Sequence, residues 1–260
     1  MHLKFGAATD RGRVRGRNED RFVADGDLRF FAVVDGMGGH AGGELASATI
    51  AEAVTAFIRE TAGDSDKTWP DGLDARLSVL ANRLQVAIRA ANRTLATRAQ
   101  EDSALEGGGA TLAAALFGGD GDRLAVSNVG DCRAYLLRGG RLSQITRDHS
   151  VVAEQVAQGL IDSEAARTHP LRHVVTRAVS GQAGMAVDIF EMEVKAGDRL
   201  VLCSDGIHGV LTDNEIATLV SANGTPLDEV CRAIIDSANA GGGPDNATTV
   251  VVEAVEGDEL

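Results

Sequence analysis

Four aspartates in this 260-residue chain stand where apolar strands should start or stop. Phe30 to Val34 runs into Asp35-Gly36, Leu124 to Val129 into Gly130-Asp131, and Leu200 to Cys203 into Ser204-Asp205-Gly206. Gly243-Pro244-Asp245-Asn246 places its carboxylate just ahead of the apolar run Ala247 to Val252. One Asp-Gly pair is a turn signal and nothing more. Four on separate apolar segments imply something else, because carboxylates gathered at strand ends raise one another's pKa unless cations lie between them. The simplest reading is a metal site. Its donors are all oxygens, with no H-x-x-x-H and no Cys/His cluster, which favours Mg²⁺ or Mn²⁺ over Zn²⁺. Two such ions side by side lower the pKa of a bridging water and stabilise in-line displacement at phosphorus.

A second chemical signal precedes the first aspartate. Arg11, Arg13, Arg15 and Arg17 are spaced two apart, so an extended segment would project all four on one face. That face could grip an oxyanion through guanidinium forks, or it could be a solvated basic edge that discourages strand pairing. Spacing alone does not choose between them. Glu19 and Asp20 follow at once, which weakens any purely nucleic-acid reading. Metal-binding carboxylates beside arginines suggest phosphoester hydrolysis. The chain has no G-x-x-x-x-G-K-[ST], no G-x-S-x-G and no kinase H-R-D or D-F-G set, which disfavours nucleotide-driven transfer and a serine nucleophile. Gly36 to Ala41 fits G-x-G-x-x-[GA], yet a dinucleotide site needs a strand, a helix and a second parallel strand, and here one helix is followed by another.

These residues need elements to position them. Leu3 to Thr9 and Phe30 to Asp35 read as strands, with room for a third before the helices begin. Glu44 to Ala62 and Leu73 to about Arg98 step their apolar residues by three and four, the mark of amphipathic helices, and Gly63 to Gly72, with Trp69 and Pro70, joins them as a surface loop. From Gly109 the period changes. Gly109–Phe117, Arg123–Val129, Arg133–Leu137 and Arg141–Ile145 read as strands of an antiparallel meander. Thr146 to Gly181 reads as an insertion over a sheet edge, with short helices at Val151–Gln158 and Asp162–Arg167. Strands return at Val187–Val194 and Arg199–Cys203, helices at Asp213–Ala222 and Leu227–Ala240, and a last strand at Ala247–Ala254. This order predicts an α+β fold, two antiparallel sheets packed together and flanked by helix pairs in four αββα layers.

The whole-chain properties agree. A hydrophobic content of 44% without a compositional break suits a single domain over 1–255 with a solvated tail at 256–260. Cys132, Cys203 and Cys231 lack C-x-x-C spacing and read as small core residues in a reducing compartment. The start of the chain lacks a long apolar stretch, and no apolar run approaches the roughly 18 residues of a membrane span. A cytoplasmic monomer is expected. The net charge of -13 opposes non-specific binding to nucleic acid or anionic membrane.

The residues also carry a family resemblance. Arg15-x-x-Asn18-Glu19-Asp20, Asp35-Gly-Met-Gly-Gly-His40, Gly109-Ala-Thr111, Asn128-Val-Gly-Asp131-Cys-Arg133, Cys203-Ser-Asp205-Gly206 and Gly243-Pro-Asp245-Asn246 resemble, in order, the signatures of the metal-dependent type 2C (PPM) Ser/Thr protein phosphatases, bacterial branch. The likeness runs from about Ala7 to Val252. It implies a dinuclear Mn²⁺ or Mg²⁺ centre whose bridging hydroxide attacks phosphoserine or phosphothreonine of phosphorylated proteins, opposing a cognate Ser/Thr kinase. By the same resemblance Asp35 would bridge both ions and Gly36 would lend its carbonyl. Asp205 and Asp245 would complete one ion, and Asp131 with Asp205 would hold a weaker third. Arg15 would bind the substrate phosphate, Glu19 would order water at the ions, and 146–181 would be the flap beside the site. Some members place a His directly after the Asp-Gly pair as a general acid; here Met37 stands there and His40 reads as an exposed loop residue. His149, His169, His173 and His208 lack a carboxylate or His partner at ligand spacing and are expected on the surface or flap.

Two other classes remain as alternatives. A phosphoprotein-binding pseudophosphatase scaffold should have lost a ligand, whereas all four aspartates are present. A metal-dependent phosphodiesterase or nuclease is disfavoured by the charge and by the lack of interleaved aromatics.

Overall fold

Strands that are apolar on every residue must be covered on both faces, and the architecture follows from that need. The computed structural model describes residues 1–38, 41–63, 72–119 and 121–257. His40, nearly all of the expected 63–72 loop and the last three residues of the tail lie outside the described residues. Among the described residues ten strands form two antiparallel five-stranded sheets, β1-β10-β9-β6-β7 and β2-β3-β4-β5-β8. In sheet order the first contains His2–Asp10 (β1), Ala247–Val255 (β10), Arg199–Cys203 (β9), Arg133–Arg138 (β6) and Arg141–Gln144 (β7). The second contains Asp20–Asp25 (β2), Phe30–Met37 (β3), Gly109–Phe117 (β4), Arg123–Val129 (β5) and Asp188–Glu193 (β8).

The side-chain period of two divides each central strand between two cores. Phe30, Ala32 and Val34 of β3 face a core shared with Gly42–Thr61 (α1) and Val79–Glu101 (α2), through Ile50, Val54, Leu84, Ile88 and Leu95. Phe31 and Val33 point the other way, to meet Leu200 and Leu202 of β9 and Val250 and Val252 of β10 between the sheets. Val201, Cys203 and Val251 face the outer core of the first sheet with Ile216 of Asp213–Val220 (α6) and Ile234 of Leu227–Ala240 (α7). The fold is thus the α+β sandwich expected, with helix pairs outside two sheets.

Several local expectations need correction. The run from Gly109 to Ile145 is not one meander: β4 pairs with β5 and β6 with β7, but β5 and β6 belong to different sheets. The chain changes sheet at Gly130-Asp131-Cys132, where Gly130 takes φ 102° and a Cβ would collide with Thr111. The arginine run is not extended. Gly12 turns it at φ 80°, and two bends fold it into a loop. The second helix starts six residues later than its apolar spacing suggested, because Ser78 caps it by accepting from the Ala81 N–H and Asn82 turns its amide back on the 74–78 carbonyls. The strand left open before the helices is β2, and the segment 146–181 carries the short helices Val151–Ala157 (α3) and Ser163–Thr168 (α4).

Candidate metal centre

Four segments deliver the aspartates to one end of the space between the sheets. Asp35 lies near the end of β3, opposite Asp20 on β2 and Thr111 on β4. Asp131 sits in the sheet-changing turn. Asp205 opens a one-turn helix, Asp205–His208 (α5), directly after β9, with Ser204 as its N-cap residue. Asp245 precedes β10, and its own Oδ1 accepts from the Asn246 N–H at 2.8 Å. All four stand at or next to strand ends, as their apolar runs imply, and it is the fold rather than any local feature that brings them together.

Their mutual charge is visible in their ionisation. Burial pushes Asp35 well above the usual carboxylate range, and the charges of Asp20, Asp205, Asp131 and Asp245 add to the effect. Asp20 and Asp131 are each raised to about 7, burial first and neighbouring aspartates next. Asp205 runs the other way despite its burial, held low by His173, by His208 and by a proton that Asp35 offers it. Oδ1 of Asp205 and Oδ1 of Asp20 are buried and accept no hydrogen bond. Among the described residues no three His, Cys, Asp or Glu side chains already converge at metal-ligand spacing: Arg15 Nη2 lies 2.6 Å from Asp245 Oδ2, and His173 Nδ1 lies 3.9 Å from Asp205 Oδ2. Buried carboxylates that raise one another's pKa and keep unpartnered oxygens suit hard divalent cations.

Backbone and polar contacts shape the mouth. Gly36 has no room for a Cβ, because the carbonyls of Gly43 and Glu19 stand against it. Glu19 is half-buried beside Gly43, and desolvation raises its pKa. Asn246 ties the arginine loop down. Its Nδ2 donates to the Arg11 carbonyl at 2.9 Å and the Arg17 carbonyl at 2.8 Å, while its Oδ1 accepts the Glu19 N–H at 2.8 Å. Arg13 N–H adds a bond to the Gly243 carbonyl at 2.7 Å. Arg15 is thereby held over Asp245 by the residue that follows Asp245.

Three contributors escaped sequence reading. Asp20, 1% exposed, pairs across the sheet with Asp35 and accepts from Ser204 Oγ at 2.8 Å. His208 is a correction: it is buried, and Nε2 lies 2.9 Å from the Asp131 carbonyl, which can only accept, so Nε2 carries the proton. Burial, with Arg133 beyond it, depresses its pKa to about 4, and the ring is neutral. His149 lies on the segment 146–181, as expected, but it is buried. Its Nδ1 accepts the Gly130 N–H at 3.0 Å, so its Nε2 donates to Asp188 Oδ2 at 3.2 Å. The Asp131 turn is therefore gripped by two imidazoles, one accepting from the amide before it and one donating to its carbonyl. Beneath it Arg133 makes a two-pronged bond to the half-buried Asp148, whose pKa is lowered by the guanidinium despite its desolvation. His169 and His173 also lie on the segment 146–181, and unlike His149 they are not buried.

Against this geometry, the comparisons with known proteins are direct. The family model "Protein phosphatase 2C" matches residues 13–241. The serine/threonine protein phosphatase PstP of Mycobacterium tuberculosis is 39% identical over 257 residues, covering 98% of this chain and 46% of that protein. This chain thus spans about half the length of that relative. The serine/threonine phosphatase stp of Listeria monocytogenes is 33% identical over 260 residues, covering 97% of this chain and 96% of its own. A crystal structure of the catalytic domain of PstP in complex with two manganese ions superposes with a TM-score of 0.83 at 36% identity, covering 98% of this chain and 99% of the other.

Proposed function

The chain belongs to the protein phosphatase 2C family, and from that premise we propose that it hydrolyses phosphoserine and phosphothreonine monoesters of proteins, using divalent metal ions. The observation that carries the proposal is the set of buried carboxylates with suppressed ionisation under an exposed arginine. Such a cluster is electrostatically incomplete without cations. Asp35, Asp205, Asp245 and the Gly36 carbonyl would hold two Mn²⁺ or Mg²⁺ ions, and Asp131 with Asp205 a weaker third. When bound, the ions supply Lewis acidity that makes water nucleophilic near neutral pH and neutralises charge on the phosphoryl group. The two manganese ions of the PstP domain support this choice of metal.

The protein's own groups do the rest. Arg15, anchored through Asn246, presents a guanidinium that binds two phosphoryl oxygens and orients the ester. Glu19, with its pKa raised by burial, would accept a hydrogen bond from the attacking water. The overall reaction adds water across the P–O bond: the water oxygen joins phosphorus, and the ester oxygen leaves as the serine or threonine hydroxyl. Residues 1–255 would act as one catalytic domain, with 146–181 as a flap beside the site. Opposition to a Ser/Thr kinase and a cytoplasmic monomer complete the reading. No described helix is long and apolar enough to cross a membrane.

Turnover of a phosphothreonine peptide with Mn²⁺, with EDTA, and beside a single-stranded DNA control tests the proposal. Peptide hydrolysis that needs Mn²⁺ and spares DNA is expected. Peptide binding without turnover would favour the scaffold, and DNA cleavage the phosphodiesterase. For the third ion, Asp131→Ala should keep tight Mn²⁺ binding by calorimetry yet lose about one to three decades of turnover.

A further inference from the structure

Positive charge is distributed unevenly in this acidic chain. Residues 11–17 and 165–187 contain seven arginines and no Asp or Glu; with 25 basic and 38 acidic residues in total, the remainder has 18 against 38, a net of -20. Both segments reach the carboxylate site, one through Arg15 on Asp245 at 2.6 Å and the other through His173 beside Asp205 at 3.9 Å. Both are also pinned. Asn246 fastens the ends of the first, while Val175 and Val179 of the second bridge to Ser150 and Ala110.

Some of these arginines already have partners. Arg15 meets Asp245, Arg177 meets Asp188 at 2.9 Å, Arg167 reaches the Val210 and Leu211 carbonyls, and Arg11 turns back on the Gly16 carbonyl. Arg13, Arg17 and Arg172 are exposed and form no ion pair among the described residues. The acids that bracket the first segment face inward: Asp10 accepts from the Gly12 N–H and from Asn239, and Glu19 packs on Gly43. Val14, Leu171 and Val174 are 71%, 44% and 43% exposed in the same two segments. A solvated surface of a protein this acidic has no reason to exclude acids from both segments that reach its carboxylate site. A cationic mouth on an anionic body focuses field on ligands of opposite charge.

We infer that the site selects phosphorylated protein segments bearing further anionic groups beside the phosphoresidue, received by Arg13 and Arg17 on one side and Arg172 on the other. The inference rests on the phosphatase reading and specifies its substrate class. Aspartate and glutamate side chains or a second phosphate share the required chemistry. Val14, Leu171 and Val174 offer apolar contact to the same segment.

The test compares phosphothreonine peptides of equal length with neutral flanks, with Asp/Glu flanks, or with one flanking phosphoserine, and adds p-nitrophenyl phosphate. Wild type is set against an Arg13→Ala/Arg17→Ala double variant and against Arg172→Ala, at low salt and at about 0.5 M salt, where screening is nearly complete. At least one anionic series should exceed the neutral one in kcat/KM by about tenfold at low salt, mainly through KM. That advantage should shrink to about threefold or less in each variant and at high salt, with p-nitrophenyl phosphate turnover unchanged. Stimulation by phosphoserine alone would identify a second phosphate as the ligand, and stimulation by both would identify charge in general. Equal kcat/KM across all peptides, or a preference that survives both variants, would overturn the inference while leaving hydrolysis intact. Failure to turn over any peptide or p-nitrophenyl phosphate would instead remove the phosphatase reading beneath it.

Discussion

At the scale of single residues, the site is a problem of unbalanced charge. Asp35, Asp131 and Asp205 are recognisable because each stands beside glycine after an apolar run, and Asp245 because Gly243-Pro244 sets it just ahead of one. Asp20 is not, since Asp20-Arg21-Phe22-Val23-Ala24 is too short a pattern to announce that its first residue is buried opposite Asp35. Its burial comes from register with a partner strand, which no local window contains. Arg15 was singled out with three neighbours of equal spacing, and only the loop's bends show that it alone meets Asp245. If its guanidinium holds phosphate in the ground and transition states alike, Arg15→Ala raises KM for a phosphopeptide by roughly 1–3 kcal/mol in binding terms, with kcat little changed. Steady-state kinetics beside a melting curve checks this. Unchanged KM with a lowered melting temperature would make Arg15 a structural residue.

Elements position these residues, and here the reading of the chain was uneven. Apolar periodicity located the strands and long helices because it reports burial, and burial is what the sandwich imposes on every central strand. It could not report which strands pair. The Gly-Asp-Cys turn after β5 resembles a hairpin locally, yet it carries the chain to the other sheet. That crossing brings Asp131 against α5, where His208 donates to the Asp131 carbonyl. His208 therefore links the turn bearing Asp131 to the helix that begins with Asp205, a contact between residues far apart in sequence and invisible in spacing. His208→Leu leaves a buried carbonyl unpaired, a cost of about 1–3 kcal/mol, and should lower kcat about tenfold or more while KM changes little. His208→Gln, whose amide can donate to the same carbonyl, should recover most of that loss. Equal impairment of both variants would reduce His208 to a packing residue.

At the scale of the whole molecule, the carboxylate centre should set the stability of the protein as a function of pH. Asp20 moves from an ordinary 3.8 to about 7 on folding. A folded state that binds this proton more tightly than the unfolded chain is favoured fully below about pH 4, loses that advantage as pH rises, and has lost it above about pH 7. Ionised Asp20 at neutral pH is thus a burden on the fold unless cations offset it. In EDTA, Asp20→Asn should melt higher than wild type at pH 7.5, and the difference should close as pH falls toward 4. His208, depressed to about 4, acts in the opposite sense, since its neutral form is stabilising above about pH 6.5 and is lost as pH falls. Comparing variant with wild type at each pH cancels that contribution. A gap that is constant with pH would show that Asp20 is not the titrating group.

The central claim is that Asp35 and Asp245 hold the ions on which hydrolysis depends. Asp35→Asn and Asp245→Asn replace a carboxylate by a neutral amide, a poor ligand for a hard cation, with almost no change of shape. Calorimetric Mn²⁺ titration of each folded variant, with phosphothreonine-peptide turnover at saturating Mn²⁺, tests this most directly. Weakened Mn²⁺ binding and turnover reduced by about a hundredfold or more are expected in both variants. Wild-type Mn²⁺ affinity, or turnover above about a tenth of wild type, in either variant would contradict it.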